Sequence, residues 1–357
     1  MTDFGKSVRI GRMYTPKYSI TNKILKFIGI IEACREVIDH APLLPYYEKA
    51  FQKDALVRAV HHGTHIEGNE LNLTQAEQVM FGSEVVARER DVQEVINYRN
   101  VIECISNFKD GIDEDFIKRM HVMTVEKILS PERCGIYRQT QVVVRNSMTG
   151  EVTFTPPVAI AVPSQVQELV EFAGKAGASV IHPIIKSGAV HYELVRIHPF
   201  VDGNGRVARA LSTFILFQSG YDIRKFFSLE EYFDNDAVRY YGGLQSVERN
   251  GGDLTEWLEY FTEGLAIELA KIKERVAKIS VDGKLRERLG GKPVLLSERQ
   301  LRIIEYIQEA GHLQNVGFKQ LFPMVSEDTV LNELKALIKL GLVKKVGSTK
   351  AARYVMG

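Results

Sequence analysis

His198-Pro199-Phe200-Val201-Asp202-Gly203-Asn204-Gly205-Arg206-Val207-Ala208-Arg209 is the stretch that decides how the rest of the chain is read. A helical pattern opened by Pro183 runs into it. A second pattern leaves it over 205–218, with Val207, Ala210, Leu211, Phe214 and Ile215 inside and Gly220 past its end. Between them lies a polar, glycine-rich bend at a helix start. The first amides of a helix have no carbonyl one turn earlier, and they carry partial positive charge, so the place suits a phosphate. Gly203 and Gly205 let backbone come close to an anion, and Asn204 adds a donor. Arg206 and Arg209 share one helix face and can grip a polyphosphate with two planar forks. Asp202 would repel that anion unless a metal lay between, and Mg²⁺ commonly binds through one or two carboxylates plus phosphate oxygens. His198 ends the preceding helix, and its ordinary pKa near ~6.5 suits a general base.

A plain loop with a helix cap needs only one or two of these residues, so it fits the stretch less well. There is no G-x-x-x-x-G-K-[ST] and no H-E-x-x-H. His191 and His198 are seven residues apart, two helical turns, too far to share one ion without a bend.

Outward from this stretch, most of the first 280 residues read as helix, and the fold class is mainly α. Helical spacing covers 24–39, 46–61, 73–80 behind Asn72, 92–108, 113–128, a helix capped by Pro163 and Ser164 that ends near Gly174, then 236–248 and 254–277. One segment differs. The β-branched runs 141–144 and 152–155, with a turn at 147–150 and a stop at Pro156-Pro157, predict a β-hairpin. Glycines and Pro293 mark a linker over 281–293. Beyond it, over 294–357, Ser297-Glu298-Arg299-Gln300 opens a helix to residue 310, a short helix covers 318–322, and Ser326 starts a third to residue 340. Two strands, 342–346 and 353–356, complete a small winged helix-turn-helix.

The chain of 357 residues is 45% hydrophobic and 25% charged with a formal net charge of +1, so bulk charge points to no polyanionic partner. Cys34, Cys104 and Cys134 are far apart and odd in number, which argues against a disulfide framework or a zinc knuckle. No run is apolar enough to span a bilayer, and the N-terminus carries Lys6, Arg9 and Arg12 in place of a signal core. A cytoplasmic location without membrane contact is the expectation.

The stretch 198–209 resembles the signature of the Fic family, H-P-F-x-[DE]-G-N-G-R-x-x-R, at every position. The likeness covers roughly residues 15–275. It implies a Fic helical fold with a β-hairpin flap, whose catalytic core would be 111–280 behind an N-terminal helical region, 1–110. It implies a protein adenylyltransferase that moves AMP from ATP to a Tyr, Ser or Thr hydroxyl of a target protein. His198 would deprotonate that hydroxyl, Asp202 would hold Mg²⁺, Gly203, Asn204 and Gly205 would form the anion hole, and Arg206 and Arg209 would orient the β and γ phosphates. Phe200 would anchor the loop. Val152, Thr153, Phe154 and Thr155 would belong to the flap, which pairs with a target segment as an added strand. Tyr240 and Tyr241 would line the adenine pocket, though they can equally be core aromatics on a helix. Doc-like kinase relatives carry a lysine-containing stretch in place of Asn204-Gly205, which this chain does not.

Many Fic proteins also carry an inhibitory pattern, [ST]-x-x-x-E-[GN]. The segment near 63–69 resembles it, with Ile66-Glu67-Gly68-Asn69 fitting its end and Glu67 expected to pair with Arg209. The beginning departs from it: Gly63 stands where Ser or Thr is usual, and Thr64 is one place late. A carboxylate there would misplace ATP, or position a water that removes AMP from a modified target. For the C-terminal unit, Glu327, Asp328 and Glu333 early in the third helix oppose DNA phosphate, while Lys335, Lys339, Lys344, Lys345, Lys350 and Arg353 lie later. Protein docking or a homodimer contact is favoured over DNA. The rival function is an ATP-sensing transcriptional regulator, which would need no base at His198.

Overall fold

A computed structural model describes residues 14–41, 43, 45–145, 152–174, 181–279, 297–323, 325–347 and 352–357. The chain forms two compact units, Met1–Val276 and Ala277–Gly357. The first runs through α1 (Asn22–Asp39), α2 (Pro45–His65), α3 (Leu73–Met80), α4 (Glu89–Asn107) and α5 (Glu114–Val125). A two-stranded hairpin follows, β1 (Val144–Arg145) and β2 (Val152–Phe154). Then come α6 (Val162–Ala173), α7 (Pro183–Ile197), α8 (Asn204–Gln218), α9 (Leu229–Asn235), α10 (Ala237–Arg249) and α11 (Thr255–Ile279).

Short polar side chains start these helices where unpaired amides need acceptors. Thr21 accepts from the Ile24 amide, Asp113 from Phe116 and Asp236 from Arg239, and Asn72 and Gln75 form a reciprocal capping box. The 113–128 helix stops at Val125, three residues before its expected end, and Lys127 has φ 59°. In the helix around Pro163, the cap position is taken by Ala161, and Ser164 instead donates to the Ala161 carbonyl. α7 and α8 are buried nearly all round, as a central helix pair must be. The Trp257 indole, fully buried on α11, donates to the Gly188 carbonyl of α7 at 2.8 Å. α9 has no counterpart in the expected pattern.

The expected hairpin is shorter than its sequence. Residues 141–143 lie outside the strands, Thr155 follows β2, and the turn at 147–150 lies outside the described residues. Val144 pairs with Phe154 and Arg145 with Val152, with a bulge between the two pairs. Gln141 turns its side-chain amide back on the Val142 and Pro156 carbonyls, which draws the chain out of the ladder.

The second unit holds α12 (Glu298–Ala310), α13 (Phe318–Leu321) and α14 (Glu327–Lys339), with a capping box of Ser297 and Gln300 before α12. Its sheet has three antiparallel strands in place of the two expected. β5 (Arg353–Met356) lies between β3 (Leu313–Gln314) and β4 (Val343–Val346). Ile303, Ile307, Phe318, Leu334, Leu337 and Tyr354 centre a core of its own.

Candidate functional site

α7 ends at His198, which takes a left-handed conformation (φ 50°, ψ 58°) and whose amide donates to the Leu194 carbonyl. The His198 Nδ1 faces the Val195 carbonyl at 3.3 Å. A carbonyl only accepts, so Nδ1 carries the proton and Nε2 keeps its lone pair. Burial lowers the imidazole pKa, partly offset by the Val195 bond and the Glu67 charge. The ring is therefore a neutral base at neutral pH.

The bend after it is fastened from inside. The Phe200 ring, fully buried, stacks on His121 with centroids 3.8 Å apart. Asn204 closes the loop on itself, accepting from the Phe200 amide at 2.8 Å and donating to the Phe200 carbonyl at 2.9 Å. Its side chain is thus a staple of the loop, with its oxygen and one of its two amide hydrogens used there. Gly203, at φ 77°, makes the turn into α8. The His121 Nδ1 accepts from the Gly135 amide at 2.9 Å, so its Nε2 donates to the Asp202 carbonyl at 3.1 Å. That ring is held neutral, with burial lowering its pKa to about 4.

Arg206 and Arg209 are 2% and 1% exposed, and each has Nε and Nη1 buried with no hydrogen-bond partner among the described residues. Orphaned guanidinium donors in the interior are costly unless an anion arrives. Arg206 faces Asp202 at 3.2 Å and Glu94 at 3.4 Å. Arg209 donates through Nη2 to the Gly63 carbonyl and to Glu67 Oε1, both at 2.8 Å. That same carboxylate oxygen lies over Gly205, 2.2 Å from where a Cβ would be. Glu67 therefore occupies the space above the first turn of α8 where an anion would approach.

Asp202, expected to be free for a metal, is instead engaged. Its Oδ1 accepts from the Gly203 amide and from Arg206, and its Oδ2 accepts from Arg90 Nη2 at 2.8 Å. Among the described residues, no three His, Cys, Asp or Glu side chains are arranged to hold a metal. A carboxylate at the mouth of an anion cradle nevertheless fits a cation that shares its coordination with phosphate.

One cavity collects Glu67, His198, Gly205, Arg209, Tyr240 and Tyr241, with Val144 and Phe154 from the hairpin. Tyr240 is also a core residue. It stacks on Phe233, and its hydroxyl donates to His191 Nε2 at 2.9 Å. Tyr241 is half-exposed, with its hydroxyl 3.4 Å from the Ile66 carbonyl. The pair thus serves both the core and the cavity wall. Val152 pairs with Arg145 and Thr153 falls at the bulge between the two pairs, but the side chains of both lie outside the described residues.

Arg138 is a site residue that the sequence pattern does not reveal. It is buried, and its guanidinium donates to the carbonyls of His198 (2.8 Å), Thr140 (3.1 Å), Ile197 (3.4 Å) and Pro157. It therefore joins the bend that begins at His198 to the segments on either side of the hairpin. No local pattern marks it, because its acceptors come from segments about 20 and 60 residues away.

Residues 111–216 match the model of the Fic/DOC family, so the chain carries a Fic domain. The protein adenylyltransferase fic-1 of Caenorhabditis elegans is 33% identical over 169 residues, 45% of this chain and 32% of that protein. The Nematostella vectensis protein adenylyltransferase Fic is 26% identical over 51% of this chain and 43% of its own length. The chain thus spans about a third to two fifths of the curated relatives it matches. A Fic family protein from Desulfovibrio desulfuricans G20 has the same fold, with TM-score 0.66 at 22% identity, over 96% of this chain and 98% of that one. The fold is the Fic helical fold with a small hairpin.

Proposed function

We propose that the chain is a protein adenylyltransferase that moves AMP from ATP onto a hydroxyl of a target protein. The convergence of His198, the first turn of α8 and Arg209 on one cavity carries this reading. His198 Nε2 takes the proton of the target hydroxyl. The freed oxygen attacks the α phosphorus, the bond to the β-phosphate oxygen breaks, and pyrophosphate leaves. The α8 amides and the orphaned donors of Arg206 and Arg209 hold the phosphate oxygens. Asp202 would hold Mg²⁺, which when bound neutralises phosphate charge. Tyr241 and Tyr240 offer the adenine an aromatic wall, and Phe154 and Val144 bring the hairpin edge to the same cavity.

Glu67 makes the described arrangement a resting one. It takes an Arg209 donor, and its charge faces the place of the terminal phosphate. Like charges a few ångströms apart repel by on the order of 4 kcal/mol at an effective dielectric of ~20. Incubation with ATP labelled at the α phosphate tests both ideas. Glu67→Gly should raise label on the protein about tenfold or more, and His198→Ala in that background should remove it. Equal labelling of wild type and Glu67→Gly would refute the brake. Label that survives His198→Ala would refute the base.

We read the second unit as a winged helix-turn-helix for protein docking. Glu327 and Asp328 occupy the first turn of α14, the end that would have to meet DNA phosphate. Among the described residues no helix is long and apolar enough to cross a membrane.

A further inference from the structure

Arg90, near the start of α4, reaches across to the catalytic bend. Its Nη2 donates to Asp202 Oδ2 at 2.8 Å, and its Nε donates to Glu94 Oε1 at 3.0 Å. Glu94 is buried and fixed from two more sides. Its Oε1 lies 3.4 Å from Arg206 Nη1, and its Oε2 accepts from Asn69 Nδ2 at 3.0 Å. Asp202 therefore has one oxygen tied to the Gly203 amide and Arg206, both local to the bend, while the other is taken by a side chain from a different helix.

We propose that Arg90 is a positioning residue that competes with the divalent cation for Asp202, its guanidinium holding Oδ2 in the resting enzyme. The proposal rests on the reading of Asp202 as the metal-holding carboxylate. Two observations favour a competitor over a permanent strut. Arg90's side chain is 59% exposed and that of Asp202 is 30% exposed, so the bond between them is open to water. Glu94 moreover gives the guanidinium a second anchor when Asp202 is taken from it. A divalent cation held by Asp202 would bring twice the charge of the guanidinium and would compete with an ion pair that water already weakens.

The same turns of α4 hold the brake. Asn69 follows Glu67 by two residues, and its Nδ2 donates to the Asp91 carbonyl as well as to Glu94. Arg88 bonds Asp91 and reaches the Gly68 carbonyl at 3.3 Å. Glu94 thus joins the turn carrying Glu67 to the arginine that occupies Asp202, so release of that turn loosens the anchor of Arg90.

The test is calorimetric binding of a non-hydrolysable ATP analogue to the full chain, once with EDTA and once with saturating Mn²⁺. The ratio of the two affinities is the metal-dependent gain. Effects of a substitution on nucleotide contacts alone cancel in it, as does metal binding to free nucleotide when variants are compared. Arg90→Gln should enlarge the gain about three- to tenfold over wild type, the range a partly exposed ion pair supports. Arg90→Lys, which keeps the charge, should stay within about twofold of wild type on the same scale. Asp202→Asn should abolish the gain. If Asp202→Asn abolishes it while Arg90→Gln leaves it at the wild-type value or below, competition by Arg90 is wrong. If Arg90→Lys matches Arg90→Gln, charge competition is likewise wrong. If Asp202→Asn keeps the wild-type gain, the reading of Asp202 as metal carboxylate falls, and the Arg90 proposal falls with it.

Discussion

Gly63 contributes to the clasp on Arg209 through its carbonyl, and the absence of its side chain has a definite cause. A Cβ at Gly63 would lie 2.2 Å from Cε1 of Tyr98, whose ring is fully buried and whose hydroxyl donates to Glu230. Where the family pattern carries Ser or Thr, this chain has filled the space with an aromatic ring from α4. The neighbouring Thr64 does not stand in for the missing hydroxyl, since its Oγ1 bonds the Val60 and His61 carbonyls of its own helix. Gly63→Ser should therefore overpack the contact and cost about 1–3 kcal/mol of stability. Because the displaced carbonyl is one that Arg209 uses, the same change should loosen Glu67 and raise α-phosphate labelling above wild type. A melt and a labelling assay on one preparation decide it, and an unchanged melting point with unchanged labelling would sink the argument. His198, Asp202, Arg206 and Glu67 were legible because each belongs to a short contiguous pattern whose chemistry is local. The engagement of Asp202 by Arg90 was not, because it joins residues 112 positions apart and depends on where α4 lies.

Long, strongly periodic helices were readable to within a few residues, because burial on one face imposes a spacing that sequence alone records. Short elements were not. α9 has seven residues, fewer than two full turns of pattern, and β3 has two. The hairpin was visible in its β-branched runs, but its length is set by tertiary bonds, chiefly those of Arg138 and Gln141 to hairpin carbonyls. That makes Arg138 the link between flap and bend. Arg138→Ala would leave carbonyls of His198 and Pro157 without their donor inside the protein, at a cost on the order of 3 kcal/mol. Labelling should fall even in the Glu67→Gly background, because the flap and the base lose their common reference. Arg138→Lys should recover little, since one ammonium cannot span acceptors on three segments as a planar fork does. Full labelling by Arg138→Lys with an unaltered melting point would show that charge alone suffices there.

At the scale of the molecule, the first unit is built around histidines that must stay neutral. His191 lies between Ser212 Oγ at 3.3 Å and the Tyr240 hydroxyl at 2.9 Å, with no carboxylate to support a charge. The Ser212 hydroxyl already donates to the Arg209 carbonyl, so His191 Nδ1 donates to Ser212 and Nε2 must accept from Tyr240. Burial lowers the pKa of His191 to about 3, and that of His121 and of His61 to about 4. The unfolded chain then binds more protons than the folded one between the ordinary histidine value of 6.5 and those depressed values. Stability from these rings is complete above about pH 6.5 and is lost as pH falls toward 4, by up to ~1.4 kcal/mol per ring per pH unit. Glu193 and Glu268, pushed up by burial, work in the opposite direction, so the net loss is smaller than the histidine sum. Trp257 is the only tryptophan, is fully buried and belongs to the first unit, so its fluorescence follows that unit alone. The midpoint of its urea transition should fall between pH 7 and 4.5. His121→Gln keeps an acceptor for Gly135 and a donor for the Asp202 carbonyl while removing the titration. In that variant the slope of unfolding free energy against pH should flatten, by nearly one proton where the difference peaks midway between the two pKa values and by less toward pH 7. An identical slope in the variant would mean that burial does not hold His121 neutral in the folded chain.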